Sequence, residues 1–313
     1  MIENFNGRLD LTMEQAREKW SFKLLPSGNY KIIAFNKPDT EIIIPSSING
    51  IPVEKLEDKL FEKRRRIKTI YISEGITDIG ERTFFHCRNL KEVYFPSTLK
   101  EIKPYTFYQC RNLETFKAIT TSNIEIIRDY AFCECNSLKQ FDISPAIKDI
   151  ETGAISGCYN LKLNKYDNAY YLGNNENPYF ILKRTAYDNE KTVEQISKNV
   201  DDFYNDNFDL SDVEKVEISP GIFINRDIHE AKHIKLCEDK TTSCKIHPDT
   251  KIIFNDVFAY CLNLKEITIP KGVKLIKNDA FKNCEKLEKV NFENKENVVI
   301  EKNAFIFCYK LKF

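Results

Sequence analysis

The amino-acid sequence predicts a repeat solenoid, a fold in which successive coils of the chain stack and align their short strands in a parallel β-sheet on one face. Two observations predict it. A five-residue window that ends in cysteine recurs at a nearly fixed spacing, and a short strand pattern recurs between these windows. Neither element can bury its apolar side chains alone, whereas stacked coils share one continuous core.

The recurring window has a large apolar residue three positions before its cysteine, and a leucine follows three positions after the cysteine. The windows are TFFHC (83–87), TFYQC (106–110), AFCEC (131–135), AISGC (154–158), VFAYC (257–261), AFKNC (280–284) and AFIFC (304–308). The cysteine-to-cysteine spacing is 23, 25 and 23 residues, then 103, then 23 and 24. A fixed period in this range indicates a solenoid, and the long gap marks an interruption of the array.

A strand pattern with a period of two lies between the windows. It reads KTIYIS (68–73), KEVYFP (91–96), KQFDIS (139–144) and KEITIP (265–270). In the second of these, Val93 and Phe95 point to one side of the predicted strand and Tyr94 to the other. Further apolar positions follow each strand, such as Leu99 and Ile102. Each repeat therefore offers one strand and two further inward-facing corners.

The pattern A-F-x-x-C-x-x-L-K-x-[IV]-x-I-P-x-x-V-x-x-I resembles the BspA-like branch of the leucine-rich repeats, and residues 265–287 follow it closely. The segment at 30–56 resembles the start of such arrays. AYYLGNNENPYFILKR (169–184) resembles an insertion of bacterial members, YYLGN-x-x-NPY. The resemblance implies a leucine-rich-repeat-like right-handed coil with a parallel sheet on one face and an irregular or short-helical back. It also implies a non-enzymatic protein-interaction module, similar to an adhesin or a scaffold.

Four segments are expected along the chain. Residues 1–29 form an N-terminal cap, with a short helix near Thr12–Trp20 and a strand after it. Residues 30–164 form repeats, 165–240 an interruption with a degenerate repeat, and 241–313 repeats that end in mid-repeat. Such an end leaves a sheet edge unpaired, so self-association through the C-terminal edge is a further expectation, and a self-assembling structural module is an alternative function.

Composition limits the classes of partner. Lys+Arg and Asp+Glu both number 47, so the net charge is zero, which argues against nucleic acid and anionic membranes as bulk electrostatic partners. The one basic run, Lys63–Arg66, is short and is interpreted as a solvated face. No segment is apolar enough for membrane insertion. The N-terminus lacks a signal pattern, so we expect a secreted or cell-surface protein if a leader was removed and a cytoplasmic one otherwise.

Ten cysteines are present, and seven of them occupy the last position of a recurring window. A residue that recurs at the same inward corner of each coil is expected to be buried as a small apolar side chain. Buried free thiols are therefore favoured over the alternative, a ladder of disulfides between neighbouring coils.

HEAKH (229–233) fits the zinc-protease pattern H-E-x-x-H. On a helix, His229 and His233 lie on one face and are suited to chelate zinc, with Glu230 as general base. A catalytic site needs a third protein ligand, and the usual extension fails because Leu236 replaces its glycine. A zinc-dependent peptidase is thus the alternative, against the expectation of no enzyme, no metal and no cofactor. A solvated loop or helix is the simpler interpretation.

A protein partner is expected to bind the strand face, where outward side chains of successive strands form a column. Its members are Tyr71, Tyr94, Lys117, Asp142, Lys245, Thr268 and Asn291. Adjacent exposed tyrosines are typical anchors of interfaces, because they bury a large area at a small entropic cost. The alternative is that tyrosine simply suits strands. The interruption at 165–240 is the other candidate contact surface.

Overall fold

The structure, a computed structural model, describes residues 5–167, 169–185, 216–219, 222–224 and 244–312. The chain divides into two compact units, Met1–Lys162 and Leu163–Phe313, which are described separately below. Short parallel strands stack in both, and α1 is the only helix of the described ranges. The predicted repeat solenoid is confirmed.

Unit 1 begins with a sheet built around the predicted cap. The elements of unit 1 up to residue 56 are β1 (Asp10–Leu11), α1 (Met13–Lys19), β2 (Trp20–Leu24), β3 (Tyr30–Phe35), β4 (Glu41–Ile44), β5 (Ser47–Ile48) and β6 (Ile51–Leu56). Thr12 caps α1 in a capping box with Gln15, so its side chain accepts from the Gln15 N–H while the Gln15 side chain accepts from the Thr12 N–H. The sheet has the order β1-β5-β6-β3-β2.

Two parallel ladders run through the coils of unit 1. The remaining strands are β7 (Thr69–Ile72), β8 (Glu92–Phe95), β9 (Glu101–Ile102), β10 (Thr115–Ala118), β11 (Ile126–Ile127), β12 (Gln140–Phe141) and β13 (Asp149–Ile150). The main sheet has the order β12-β10-β8-β7-β4, and the short sheet has the order β13-β11-β9. Each coil from residue 92 onward thus contributes one strand to each ladder.

The backs of the coils consist of repeated turns with two left-handed residues each. Arg82 (φ 54°) and His86 (φ 58°) are the pair in one coil, and Tyr105 and Gln109 (both φ 55°) are the pair in the next. The turns bond from coil to coil, as when the His86 N–H donates to the Tyr108 carbonyl at 2.9 Å. The backs are therefore as regular as the sheets.

The core repeats in register because each coil places the same side chains inside. Phe84 stacks on Phe107 with a centroid distance of 5.1 Å, and Phe107 stacks on Phe132 at 5.0 Å. The Cys110 Sγ donates to the Phe84 carbonyl at 3.1 Å, and the same thiol-to-carbonyl bond recurs at each window cysteine of unit 1. All nine cysteines of the described ranges are free thiols, as expected, and all but Cys308 are buried.

Unit 2 starts with three strands that pair antiparallel in succession. Its strands are β14 (Asn164–Tyr166), β15 (Ala169–Leu172), β16 (Ile181–Thr185), β17 (Val216–Ser219), β18 (Ile222–Ile224), β19 (Ile252–Ile253), β20 (Glu266–Ile269), β21 (Leu275–Ile276), β22 (Lys289–Phe292) and β23 (Val299–Ile300). Strands β14, β15 and β16 pair antiparallel, and β16 then heads a parallel ladder with β19, β21 and β23. Strands β20 and β22 pair parallel, and β17 and β18 pair antiparallel.

Candidate protein-binding face

The outward positions of the main sheet in unit 1 align as the strand pattern predicts. The register pairs Ile43 with Tyr71, Tyr71 with Tyr94, and Tyr94 with Lys117. The residues on either side of Tyr94, Val93 and Phe95, are fully buried. Because successive side chains of a strand point to opposite faces, these outward residues form one column on the surface.

The two tyrosines form the centre of an aromatic group. Tyr71 and Tyr94 stack with a centroid distance of 4.6 Å and an interplanar angle of 6°. The Phe5 ring packs against the Tyr71 ring in a T-shaped arrangement, with a centroid distance of 5.4 Å. The segment after Phe5 is held against the coils because the Gly7 carbonyl accepts from the Glu74 N–H at 2.7 Å. Both tyrosines are half-buried, so part of each side chain is open to solvent.

Ile43 and Phe5 belong to this group although the sequence reasoning omitted both. EIIIP (41–45) repeats the phrase EITIP (266–270), and Ile43 takes the place of Thr268 in it. That match was a usable signal for Ile43. No comparable signal exists for Phe5, because its contact with Tyr71 joins residues far apart in the chain. Ile43, Tyr71, Tyr94 and Phe5 are called the aromatic ridge below.

Two acidic residues, Glu41 and Glu92, lie close enough to the ridge to affect the titration of its tyrosines. Burial raises the pKa of Tyr71, and the neighbouring Tyr94, Glu92 and Glu41 add to the shift. Burial also raises the pKa of Tyr94, again with a contribution from Glu92. Both phenols are therefore protonated at neutral pH. Within the described part of the chain neither hydroxyl has a hydrogen-bond partner, so both can donate to a bound molecule.

The remaining predicted members of the column in unit 1, Lys117 and Asp142, differ in how available their side chains are to a partner. Lys117 is exposed at the outward position of β10. Asp142 lies just after β12, and its Oδ2 accepts from the Ala118 N–H at 3.1 Å. Its carboxylate therefore completes the ladder where the strand has ended, which leaves it less available to a partner than Lys117.

The other predicted members lie in unit 2. Thr268 pairs with Asn291 in the register of β20 and β22, so these two are neighbours in a column as predicted. The Asn291 side chain donates to Glu266 Oε1, and Lys289 Nζ donates to the same oxygen at 3.2 Å. Lys245 lies outside any strand, and its N–H donates to Asp167 Oδ2 at 2.9 Å. The column of this unit is polar throughout.

The insertion-like segment packs around His247. The His247 ring stacks on Tyr179 with a centroid distance of 3.9 Å, and Tyr166 meets it edge-on at 4.5 Å. The His247 N–H donates to the hydroxyl oxygen of Tyr171 at 3.0 Å. Tyr171 is fully buried, so these contacts anchor the hairpin of β15 and β16 to the returning chain.

The residues of the zinc hypothesis, His229, Glu230 and His233, lie outside the described residues, so this alternative stays a prediction. Within the described ranges no group of three His, Cys, Asp or Glu side chains is placed to hold a metal ion. A search of the described helices finds none with the length and hydropathy to cross a membrane.

Comparison with family models gives one match, the BspA type leucine-rich repeat region, in six copies over residues 54–176 and 230–313. No curated protein matches. Among solved structures, the chain is similar to a leucine-rich repeat protein of T. pallidum with 16% identity, covering 94% of this chain and 89% of that one at a TM-score of 0.46. It is also similar to a leucine-rich cell surface protein of Faecalibacterium prausnitzii with 18% identity, covering 94% and 92% at a TM-score of 0.38.

Proposed function

The chain belongs to the BspA-type leucine-rich repeat family, and from that premise we propose that it is a non-enzymatic protein-recognition module, adhesin-like or scaffold-like, which binds its partner through the aromatic ridge of unit 1. Family membership supports a role in protein interaction. The stacked, half-buried pair of Tyr71 and Tyr94 is the observation that carries the proposed location of the site.

The two tyrosines of the aromatic ridge are held rigidly. The backbone ladder fixes the spacing of the two rings, and their stacking at 4.6 Å fixes their orientation, so little side-chain entropy is lost on binding. Tyrosines of this kind bury a large apolar area and keep a hydroxyl for a hydrogen bond. Glu41 and Glu92 beside the ridge favour a partner that surrounds its apolar contact with basic side chains.

The other predicted members have graded roles in this proposal. Lys117 extends the column with an exposed cation and contributes to the rim of the interface. Asp142 acts mainly on the backbone of β10, so we expect its replacement to change binding less. Thr268 and Asn291 form a separate polar column in unit 2, and each removes less apolar surface from water than a tyrosine.

The experiment compares two variants, each of which removes a stacked pair of tyrosines, one from the strand face and one from the coil backs. Tyr71→Thr/Tyr94→Thr removes the ridge and keeps residues that suit strands. Tyr105→Asn/Tyr130→Asn removes another stacked tyrosine pair, which lies on the coil backs with a centroid distance of 5.3 Å. Asparagine is chosen there because both positions have a left-handed backbone. Proteins captured from extracts by each form are quantified by mass spectrometry, and affinities are then measured with each purified protein.

We expect the strand-face variant to lose its specific partner, with a fall in affinity of at least about 30-fold for a paired aromatic anchor. The coil-back variant is expected to retain that partner. Equal capture by the wild-type protein and the strand-face variant, with both folded by circular dichroism, would contradict the proposed site.

A further inference from the structure

Two cysteines of unit 2, Cys284 and Cys308, lie in equivalent positions of consecutive coils, because each is the last residue of its window. The two coils are held together directly. The Phe281 N–H donates to the Ala304 carbonyl at 2.8 Å, and the Phe281 ring stacks on Phe305 with a centroid distance of 4.8 Å. The Cα atoms of the two cysteines are therefore separated by roughly one strand spacing, about 4.8 Å.

The two sulfur atoms also lie close to each other. The Cys308 thiol is within hydrogen-bonding distance of the Cys284 thiol. Its Sγ donates to the carbonyl of Phe281, which belongs to the coil of Cys284, at 2.9 Å. The Cα atoms of disulfide-bonded cysteines are usually roughly 4.4–6.8 Å apart. The spacing of these coils therefore suits a disulfide without separating them.

Exposure distinguishes this pair from the equivalent pairs of unit 1. Cys308 is half-buried, whereas the other cysteines of the described ranges are buried. A hydrogen bond from Cys284 lowers the pKa of Cys308. Burial raises the pKa of Cys87 to about 12, and it also raises the pKa of Cys110. Because the thiolate is the form that oxidants attack, oxidation within the described ranges is expected to begin at Cys308.

We infer that Cys308 and Cys284 are a redox-active pair, which a peroxide converts into a disulfide while the coils stay folded. The Cys308 thiolate attacks one oxygen of hydrogen peroxide, the O–O bond breaks, and a sulfenic acid forms. The hydroxide that leaves combines with the proton lost by the Cys308 thiol to give water. The Cys284 sulfur then attacks the sulfenic sulfur, so the S–S bond forms and the S–O bond breaks.

The second hydroxide takes the proton of the Cys284 thiol and becomes the second water molecule. Two thiols and one peroxide thus give one disulfide and two waters, and the two electrons pass from the sulfur atoms to the peroxide. Both residues are thiols in the structure, which corresponds to the reduced state. The pair lies in unit 2 and the aromatic ridge in unit 1, so this inference does not depend on the proposed function.

The disulfide would fasten the two coils to each other. It would join residues 24 positions apart and would oppose local opening between their coils. The Phe281 N–H reports this opening, because it exchanges with solvent only when its bond to the Ala304 carbonyl is broken. We expect its exchange to slow by about tenfold or more in the oxidised protein.

The test oxidises the folded protein with hydrogen peroxide and then alkylates the remaining thiols in urea. Trypsin releases peptides 283–286 and 303–310, which contain the two cysteines, and mass spectrometry without reduction measures how much of them is linked. Cys87 and Cys110 occupy the same positions in consecutive coils of unit 1 and are both buried, so they are the matched control in the same digest. Cys308→Ser and Cys284→Ser each remove one member of the pair.

We expect the linked peptide to form in the wild-type protein and in neither variant, with Cys87 and Cys110 recovered as alkylated thiols. In Cys284→Ser the sulfenic acid of Cys308 has no neighbouring thiol to attack it, so dimedone should trap it roughly tenfold more than in the wild-type protein. Further oxidation of wild-type Cys308 to a sulfinic acid while Cys284 stays a thiol would overturn the inference. A disulfide between Cys308 residues of two molecules, or equally fast oxidation of Cys87 and Cys110, would overturn it as well.

Discussion

The two units have the same interior and different surfaces. Phe258 stacks on Phe281 with a centroid distance of 4.8 Å, much as Phe84 stacks on Phe107 at 5.1 Å. Cys110 of unit 1 and Cys284 of unit 2 each donate to the carbonyl of a phenylalanine one coil earlier. At the outward strand position, however, unit 1 has Tyr71 and Tyr94 where unit 2 has polar residues. The shared core constrains the inward positions, whereas the residue types at the outward positions differ between the units.

Both units contain an antiparallel hairpin that leads into parallel pairing. In unit 1 the hairpin consists of β2 and β3, and β3 then pairs parallel with β6. In unit 1 the short ladder runs through β9, β11 and β13, and each strand comes from one coil. In unit 2 the ladder of β19, β21 and β23 starts from β16, which belongs to an antiparallel hairpin. Leu182 and Ile181 of that strand are fully buried and pair with Ile253 and Ile252. A hairpin can thus replace a coil if it presents one strand with the right alternation.

The largest expected effect tests whether the interiors are equivalent. Phe107→Ala in unit 1 and Phe281→Ala in unit 2 each remove a fully buried ring from the middle of a stack. We expect each to lower the free energy of unfolding by about 3–5 kcal/mol, through lost burial and the cavity that remains. Urea unfolding followed by circular dichroism measures both losses.

Phe85→Ala is the matched control, because this ring stacks on the outer surface of the same coils and is only half-buried. We expect a loss of about 1 kcal/mol for it. If Phe107→Ala cost no more than Phe85→Ala, or if only one of the two units were sensitive, the interiors would not be equivalent.

A smaller effect on the pH dependence of stability tests a difference between the outer surfaces of the two units. His86 of unit 1 corresponds to Tyr260 and Asn283 of unit 2, and all three have left-handed backbones. With its pKa held near 4 in the folded protein against an ordinary value of 6.5, His86 binds a proton less readily when folded. Stability is therefore lost as the pH falls from about 6.5 toward 4, and it is retained above that range.

His86→Asn should remove this component, and Asn283 shows that asparagine fits the position. We expect the wild-type protein to lose on the order of 1 kcal/mol more than the variant between pH 7 and pH 5, after allowance for solvent screening. Urea unfolding at the two pH values gives the difference. Carboxylates such as Glu57, whose pKa is lowered by Lys31, act equally in both proteins and cancel. Equal losses would mean that His86 titrates normally in the folded state.

The sequence predicted the repeats and the inward positions because the alternation in KEVYFP and the recurring phenylalanine and cysteine encode burial directly. Tyr71 and Tyr94 were predicted as neighbours for the same reason, since strand register follows the repeat. The contact between Phe5 and Tyr71 could not be predicted in this way. It joins two residues that are far apart in the chain, and no repeat relates their positions.

The smallest expected effect concerns the window cysteines. Cys308 of unit 2 is less buried than the others of the described ranges. Burial raises the pKa of Cys87 to about 12, whereas a hydrogen bond from Cys284 lowers the pKa of Cys308, which is only half-buried. Since the thiolate is the reactive form, Cys308 should react with a thiol reagent before any other cysteine of the described ranges. The reaction is followed with dithionitrobenzoate at pH 8 in the folded protein and again in urea.

Cys308→Ser is the control, because it should remove one thiol from the fast phase, while the other cysteines of the described ranges react only on unfolding. Serine keeps a donor for the Phe281 carbonyl, which Cys308 contacts at 2.9 Å, so the fold is expected to persist. Rapid labelling of Cys110 in the folded protein, read by peptide mass spectrometry, would show that the ladder opens in unit 1. The interior would then differ in local stability although its geometry is the same in each coil. The thiol-to-carbonyl bond would protect the cysteines of one unit from the reagent and not those of the other.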